Sequence, residues 1–154
     1  MKRAFLICAL AACSSKEAEP SGVANWDVTK TTVKDATGRC DKTDLPDGRR
    51  GTWCFMQPPL SLGGQKADVD LYFGGEGPDA KLIEIQLKLN VCDTEKLDAW
   101  ARTSFGQPAE RKGARAMWKN RYLYALVIAD GGHCMVRVLP LSEEKEAQRI
   151  FTAP

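Results

Sequence analysis

The chain has 154 residues, enough for one modest hydrophobic core and too few for two, and it carries 22 basic against 20 acidic side chains with a single histidine. So even a balance argues against whole-molecule steering toward nucleic acid, and no stretch approaches the roughly 18 to 20 consecutive apolar residues of a membrane-spanning helix. Any membrane attachment therefore has to come from the N-terminus.

Met1-Lys2-Arg3 precedes the apolar run Ala4 to Leu10, and the small pair Ala11-Ala12 stands directly before Cys13. A charged start, an apolar stretch and a small-residue cleavage site follow one another as in a secretory leader. Leu10-Ala11-Ala12-Cys13 resembles the lipobox of bacterial lipoproteins. The resemblance covers this leader alone. It implies that residues 1–12 are a signal peptide, that a diacylglyceryl group joins the Cys13 sulfur, and that the new amino group is acylated after cleavage. Cys8 does not fit the same role, because bulky Leu6 and Ile7 stand where small residues are wanted. One acyl chain binds a bilayer marginally, whereas two or three on one residue make a durable anchor. The membrane is then one partner through Cys13, and Ser14 rather than Asp after it implies, by the same resemblance, sorting to an outer membrane. Loss of Lys2 and Arg3 takes the 22 basic residues to 20, level with the 20 acidic ones.

Residues 13–25 begin with small, charged and Pro/Gly-punctuated chain, read as a tether holding the body within about 20 Å of the lipid. Residues 26–154 are read as one globular domain. Four cysteines remain in an exported body, Cys40, Cys54, Cys92 and Cys134, and an even number there points to two disulfides. Zinc is the alternative, but no C-x-x-C pair exists and His133 directly abuts Cys134, a poor geometry for joint chelation. Of the three connectivities, Cys40 with Cys54 and Cys92 with Cys134 are favoured, because the first closes a Gly/Pro/Asp-rich loop with little core of its own.

Trp26 to Gln65 shows only scattered apolar anchors, among them Trp53, Phe55 and Met56. Val69, Leu71 and Phe73 alternate with Asp68, Asp70 and Tyr72; Gly74 to Asp79 breaks the run; Ile83, Ile85, Leu87, Leu89 and Val91 alternate with polar residues. That predicts a hairpin of two half-buried strands. Asp93 can cap a helix with Leu97, Trp100, Ala101 and Phe105 at helical spacing, stopped by Gly106 and Pro108. Strands are predicted at Ala114–Trp118, Arg121–Ile128 and His133–Leu139, the last two joined by the turn Asp130-Gly131-Gly132. Ser142 opens a short helix, Glu143 to Phe151. The predicted class is α+β, a small antiparallel sheet in the order strand, strand, helix, three strands, helix, braced by disulfides and with both helices on one face.

Residues that could carry catalysis are few. A Ser-His or Cys-His arrangement would need His133, which reads as a strand-end histidine beside an oxidised cysteine. Asp68, Asp70 and Glu84 could form an acid/base pair, but alternation puts them on the solvent side of the hairpin, where charge is ordinary. Gly74-Gly75-Glu76-Gly77 lacks the Lys-Ser/Thr of a phosphate loop. No cofactor or metal is expected. Arg111, Lys112, Arg115, Lys119 and Arg121 concentrate positive charge around Trp118, suited to lipid phosphate, anionic glycan or an acidic partner, or simply to keeping an exposed strand edge soluble. The expected function is a non-enzymatic envelope lipoprotein that docks another protein. A binding module for an envelope polymer or small ligand comes next, then an enzyme of unrecognised type.

Overall fold

The computed structural model describes residues 18–130 and 132–154. The leader 1–12, Cys13 with its lipidation, and Gly131 of the expected turn lie outside the described residues.

The body opens with β1 (Gly22–Val23) and β2 (Trp26–Asp27), joined through Ala24 and Asn25 in a short hairpin. Of the expected tether 13–25 only residues from 18 on are described, and within them Val23, at 9% exposure, belongs to the core with Trp26 and Val28. An apolar pair flanking a two-residue turn is too short to show a period in the sequence, yet it buries as soon as a sheet lies beneath it.

The main sheet has nine strands: β3 (Arg39–Asp44), β4 (Arg50–Phe55), β5 (Leu60–Leu62), β6 (Gln65–Gly74), β7 (Lys81–Leu89), β8 (Glu110–Lys112), β9 (Arg115–Lys119), β10 (Leu123–Asp130) and β11 (His133–Pro140). Their spatial order is β3-β4-β6-β7-β11-β10-β9-β8, every pairing antiparallel, with β5 beside the start of β6. The coarse α+β class stands, but the sheet is larger than expected because the hard-to-read segment before Gln65 supplies three of its strands. β3 escapes pattern reading because it is an edge strand made of charged and polar residues, with no apolar alternation to reveal it.

Helix α1 (Thr94–Phe105) matches its expected bounds: the Asp93 carboxylate accepts the Lys96 amide at 3.2 Å, and Gly106 ends it at φ 83°. Helix α2 (Glu144–Thr152) begins one residue later than expected, because Ser142 lies inside a 3-10 turn, Leu141–Glu143, and caps nothing.

The helices do not share a face. Leu123, Ala125 and Val127 of β10 pack with Leu97 and Ala101 of α1, in a core that also holds Trp26, Phe73 and Trp118. Tyr124 and Leu126 point the other way and pack with Ala147, Ile150 and Phe151 of α2. The expected single helical layer is therefore corrected to one helix on each side. The physical cause is the unbroken apolar run from Leu123 to Ile128, which makes β10 a strand that needs cover on both faces.

The hairpin β6–β7 carries one irregularity. Tyr72 faces Glu84 and Phe73 faces Leu82, so Ile83 is an extra residue in a bulge. Leu82 rather than Ile83 enters the core, and Val91, beyond the end of β7, is 85% exposed. Both disulfides form in the expected pairing: Cys40 and Cys54 are direct cross-strand neighbours in β3–β4, and Cys92 reaches Cys134 on β11.

Candidate functional site

Strand register defines a face that α2 covers only in part. Leu126, under α2, sits opposite Arg137; Arg137 sits opposite Gln86; Gln86 sits opposite Asp70. The same face continues onto β4, where Trp53 is opposite Tyr72 and Tyr72 opposite Glu84. On this face, among the described residues, α2 packs against β9, β10 and β11 and leaves the aromatic side chains of β4 and β6 outside its apolar contacts.

Three aromatic rings form a row on this open half. Phe55 and Trp53 have centroids 4.5 Å apart, and Trp53 and Tyr72 are 6.4 Å apart with planes within 14°. The Arg39 guanidinium continues the row 5.8 Å from the Phe55 ring. All three rings are half-buried by one another. The Trp53 indole N–H is screened from solvent and finds no hydrogen-bond partner among the described residues. Next in the chain, Met56 holds φ 57° and is 77% exposed. The cause lies one residue on: buried Gln57 accepts the Thr37 amide at 3.1 Å and donates to the Phe55 carbonyl at 3.3 Å, turning the chain so that Met56 faces out.

Toward α2 the face becomes polar. Arg137 donates through Nε and Nη2 to the two oxygens of Glu84, the second at 2.8 Å, and lies 3.5 Å from Glu146 of α2. Gln86 donates to the same carboxylate at 3.0 Å, and Lys88 holds Asp70 at 2.5 Å. The acid/base trio is thus placed as alternation predicts but not solvated as expected: Asp68 is exposed, whereas Asp70 and Glu84 are 8% and 7% exposed. Lys88 pairs with Asp70 and Arg137 with Glu84, and Glu146 of α2 stands beside Arg137, so their charge is held by cations rather than water. Burial pushes the Tyr72 hydroxyl up to about 12, helped by the charges of Asp70 and Glu84 and opposed by Arg137. It remains a neutral donor at physiological pH. A cleft of about 280 Å³ opens here between the loop Thr43–Asp47 and α2, walled by Tyr72, Glu84, Arg137 and Glu146.

The chain matches no family model, no curated protein and no solved structure.

The expected basic cluster is brought to one side of the molecule without forming a free cationic patch. Arg111 pairs with Asp98, Lys119 lies 3.6 Å from Glu144, and Arg121 lies 3.3 Å from Glu19. Lys112 donates to the Thr152 carbonyl at 3.4 Å, while Arg115 gathers the carbonyls of Phe151, Ala153 and Pro154. Trp118 is buried and donates to the Gly106 carbonyl at 2.8 Å. His133 begins β11 as an exposed residue remote from the aromatic row. The row itself was missed in the sequence, although Trp53 and Phe55 stand two apart, the spacing that puts neighbours on one face of a strand.

Proposed function

We propose that the chain is an outer-membrane lipoprotein of a cell envelope, anchored through Cys13, that acts without catalysis by docking another envelope protein on the open half of its sheet. The observation that carries the reading is the row Phe55, Trp53 and Tyr72, left without a covering helix beside outward-facing Met56. Aromatic, Met and Arg side chains are the types enriched at the centre of protein interfaces, and here Arg39 closes the row. The paired charges around Glu84 and Asp70 would form a polar rim on the α2 side.

Two measurements test this. Cys13→Ala should abolish labelling by a fatty-acid analogue and release the protein from membranes, and label persisting in that variant would end the anchor assignment. A photo-crosslinking residue at position 56 should yield one discrete protein adduct in intact cells, while the same residue at Val91, also exposed but beyond the end of β7 and off the aromatic row, should yield none. Adding Trp53→Ala and Tyr72→Ala should erase the adduct. Equal capture at both positions, or capture indifferent to the aromatic row, would refute the docking face. The cleft beside Tyr72 supports a second reading, a binding module for a small ligand or envelope polymer, since its volume lies just below the usual range for ligand pockets.

A further inference from the structure

The described chain begins against one particular end of the sheet. The Pro20 carbonyl accepts from Asn120 Nδ2 at 2.8 Å, and the Glu19 carboxylate lies 3.3 Å from the Arg121 guanidinium and accepts the Arg121 amide at the same distance. Asn120 also organises the turn between β9 and β10: its side-chain oxygen accepts the amides of Tyr122 at 2.8 Å and Leu123 at 3.0 Å. The residues leading to Cys13 are thus tied to the turn Lys119–Tyr122. Six residue steps separate Cys13 from Glu19, and a chain extends at most about 3.6 Å per step, so the turn stays within about 20 Å of whatever holds Cys13.

The turn has the chemistry of a surface that meets anionic lipid. Lys119 and Arg121 have side chains 52% and 64% exposed, and their contacts to Glu144 and Glu19, at 3.6 and 3.3 Å, are longer than the roughly 2.7 to 2.9 Å of a tight charged hydrogen bond. Such exposed, loose pairs exchange readily for phosphate oxygens. Tyr122, half-buried and next after Arg121, has its ring 5.0 Å from the Arg121 guanidinium, and tyrosine favours the boundary between headgroups and water. The attraction of lysine and arginine to an anionic leaflet fades within a Debye length of about 8 to 10 Å, so proximity to the anchor decides which cations feel it. Lys112 and Arg115, paired across the β8–β9 turn at the far end of β9 and engaged with carbonyls at the end of α2, are out of that zone in an upright molecule.

We infer that the turn Lys119–Tyr122 is the membrane-facing end of the protein, with Lys119 and Arg121 resting on the anionic lipid headgroups of the bilayer that holds Cys13. The inference rests on the lipid-anchor reading above. The upright orientation puts the hairpin end at His133 and the Cys92–Cys134 bridge farthest from the lipid, and leaves the aromatic row facing sideways, parallel to the membrane, where a neighbouring envelope protein can reach it.

The test uses the full-length, lipid-modified protein reconstituted into phosphatidylglycerol vesicles and into phosphatidylcholine vesicles, with brief amine acylation read residue by residue. Lys119 should react several-fold more slowly on phosphatidylglycerol than on phosphatidylcholine, while Lys112 reacts equally on both. Arg121→Gln, which removes the charge but keeps a polar side chain, should shrink the Lys119 difference without changing flotation. If the protein floats with both vesicles and Lys119 reacts alike on them, the orientation is wrong and the anchor survives. Failure to float with either vesicle removes the anchor and the orientation together.

Discussion

Arg137, with its side chain only 13% exposed, holds the Glu84 carboxylate and approaches Glu146, so three charges share a half-dry site beneath the edge of α2. Removing one member of such a group leaves the others charged without solvent, which costs about 3 to 5 kcal/mol, whereas replacing both partners by apolar residues of similar volume is often neutral. Arg137→Met should therefore lower the midpoint of urea unfolding steeply, and Arg137→Met combined with Glu84→Leu should restore most of the loss. If the double variant is no better than the single one, the pair is not the unit assumed here. Trp53 makes the complementary case. Among the described residues its indole N–H has no partner, so Trp53→Phe keeps an aromatic ring while removing a stranded donor, and stability should change by less than about 1 kcal/mol.

Gly63 and Gly64 form the turn between β5 and β6, and the two allow a matched comparison at the level of elements. A Cβ on Gly63 would lie 2.8 Å from the Lys96 carbonyl of α1, whereas one on Gly64 would meet nothing within 4 Å; both have positive φ, 59° and 81°. Alanine at Gly64 should cost only the conformational penalty of about 1 kcal/mol, and alanine at Gly63 clearly more, since the turn must back away from α1. Equal melting temperatures for the two variants would mean that α1 yields freely.

α1 was readable from its sequence because cap, period and stop agree over twelve residues. The polarity of β3 hides it, and the layering of the helices is not legible because the apolar run of β10 does not by itself tell a strand covered on one face from one covered on both. At the site, alternation assigned Asp70 and Glu84 to the correct side of the sheet. Their burial was not legible, since it depends on Arg137, fifty-three residues beyond Glu84, and on where α2 comes to rest.

At the scale of the molecule, two bridges brace loops of very different length, 14 and 42 residues apart in sequence. Chain-entropy arguments give about 3 and about 4 kcal/mol for loops of these sizes, large beside the roughly 5 to 15 kcal/mol of a small domain. A Cys92→Ser, Cys134→Ser variant should therefore melt lower than a Cys40→Ser, Cys54→Ser variant, and both below the parent. Acid acts through separate groups. Arg149 draws the Glu146 carboxyl below its usual range against the opposing effect of burial, and Arg102 and Arg111 do the same for Asp98. A carboxyl with a depressed folded pKa contributes stability that is present above its unfolded value and lost as pH falls through the folded one. Unfolding midpoints should hold level from neutrality to about pH 5 and decline below about pH 4. A profile flat down to pH 3 would show that these pairs contribute nothing.

The sheet order has a kinetic consequence. β3, β4, β6 and β7 are one meander, β8 to β11 another, and the seam between them is a single pairing, β7 with β11. Each meander is built from neighbouring strands and can form quickly, while the seam must bring together residues about fifty apart, such as Val136 with Leu87, the kind of contact that slows folding. Cys134 lies opposite Leu89, three residues before Cys92, so their bridge crosses the seam at its end and fixes its register. A chain unfolded with this bridge intact should refold faster than the reduced chain. An oxidant acting on Cys92 and Cys134 would then set the pace at which the two meanders find each other.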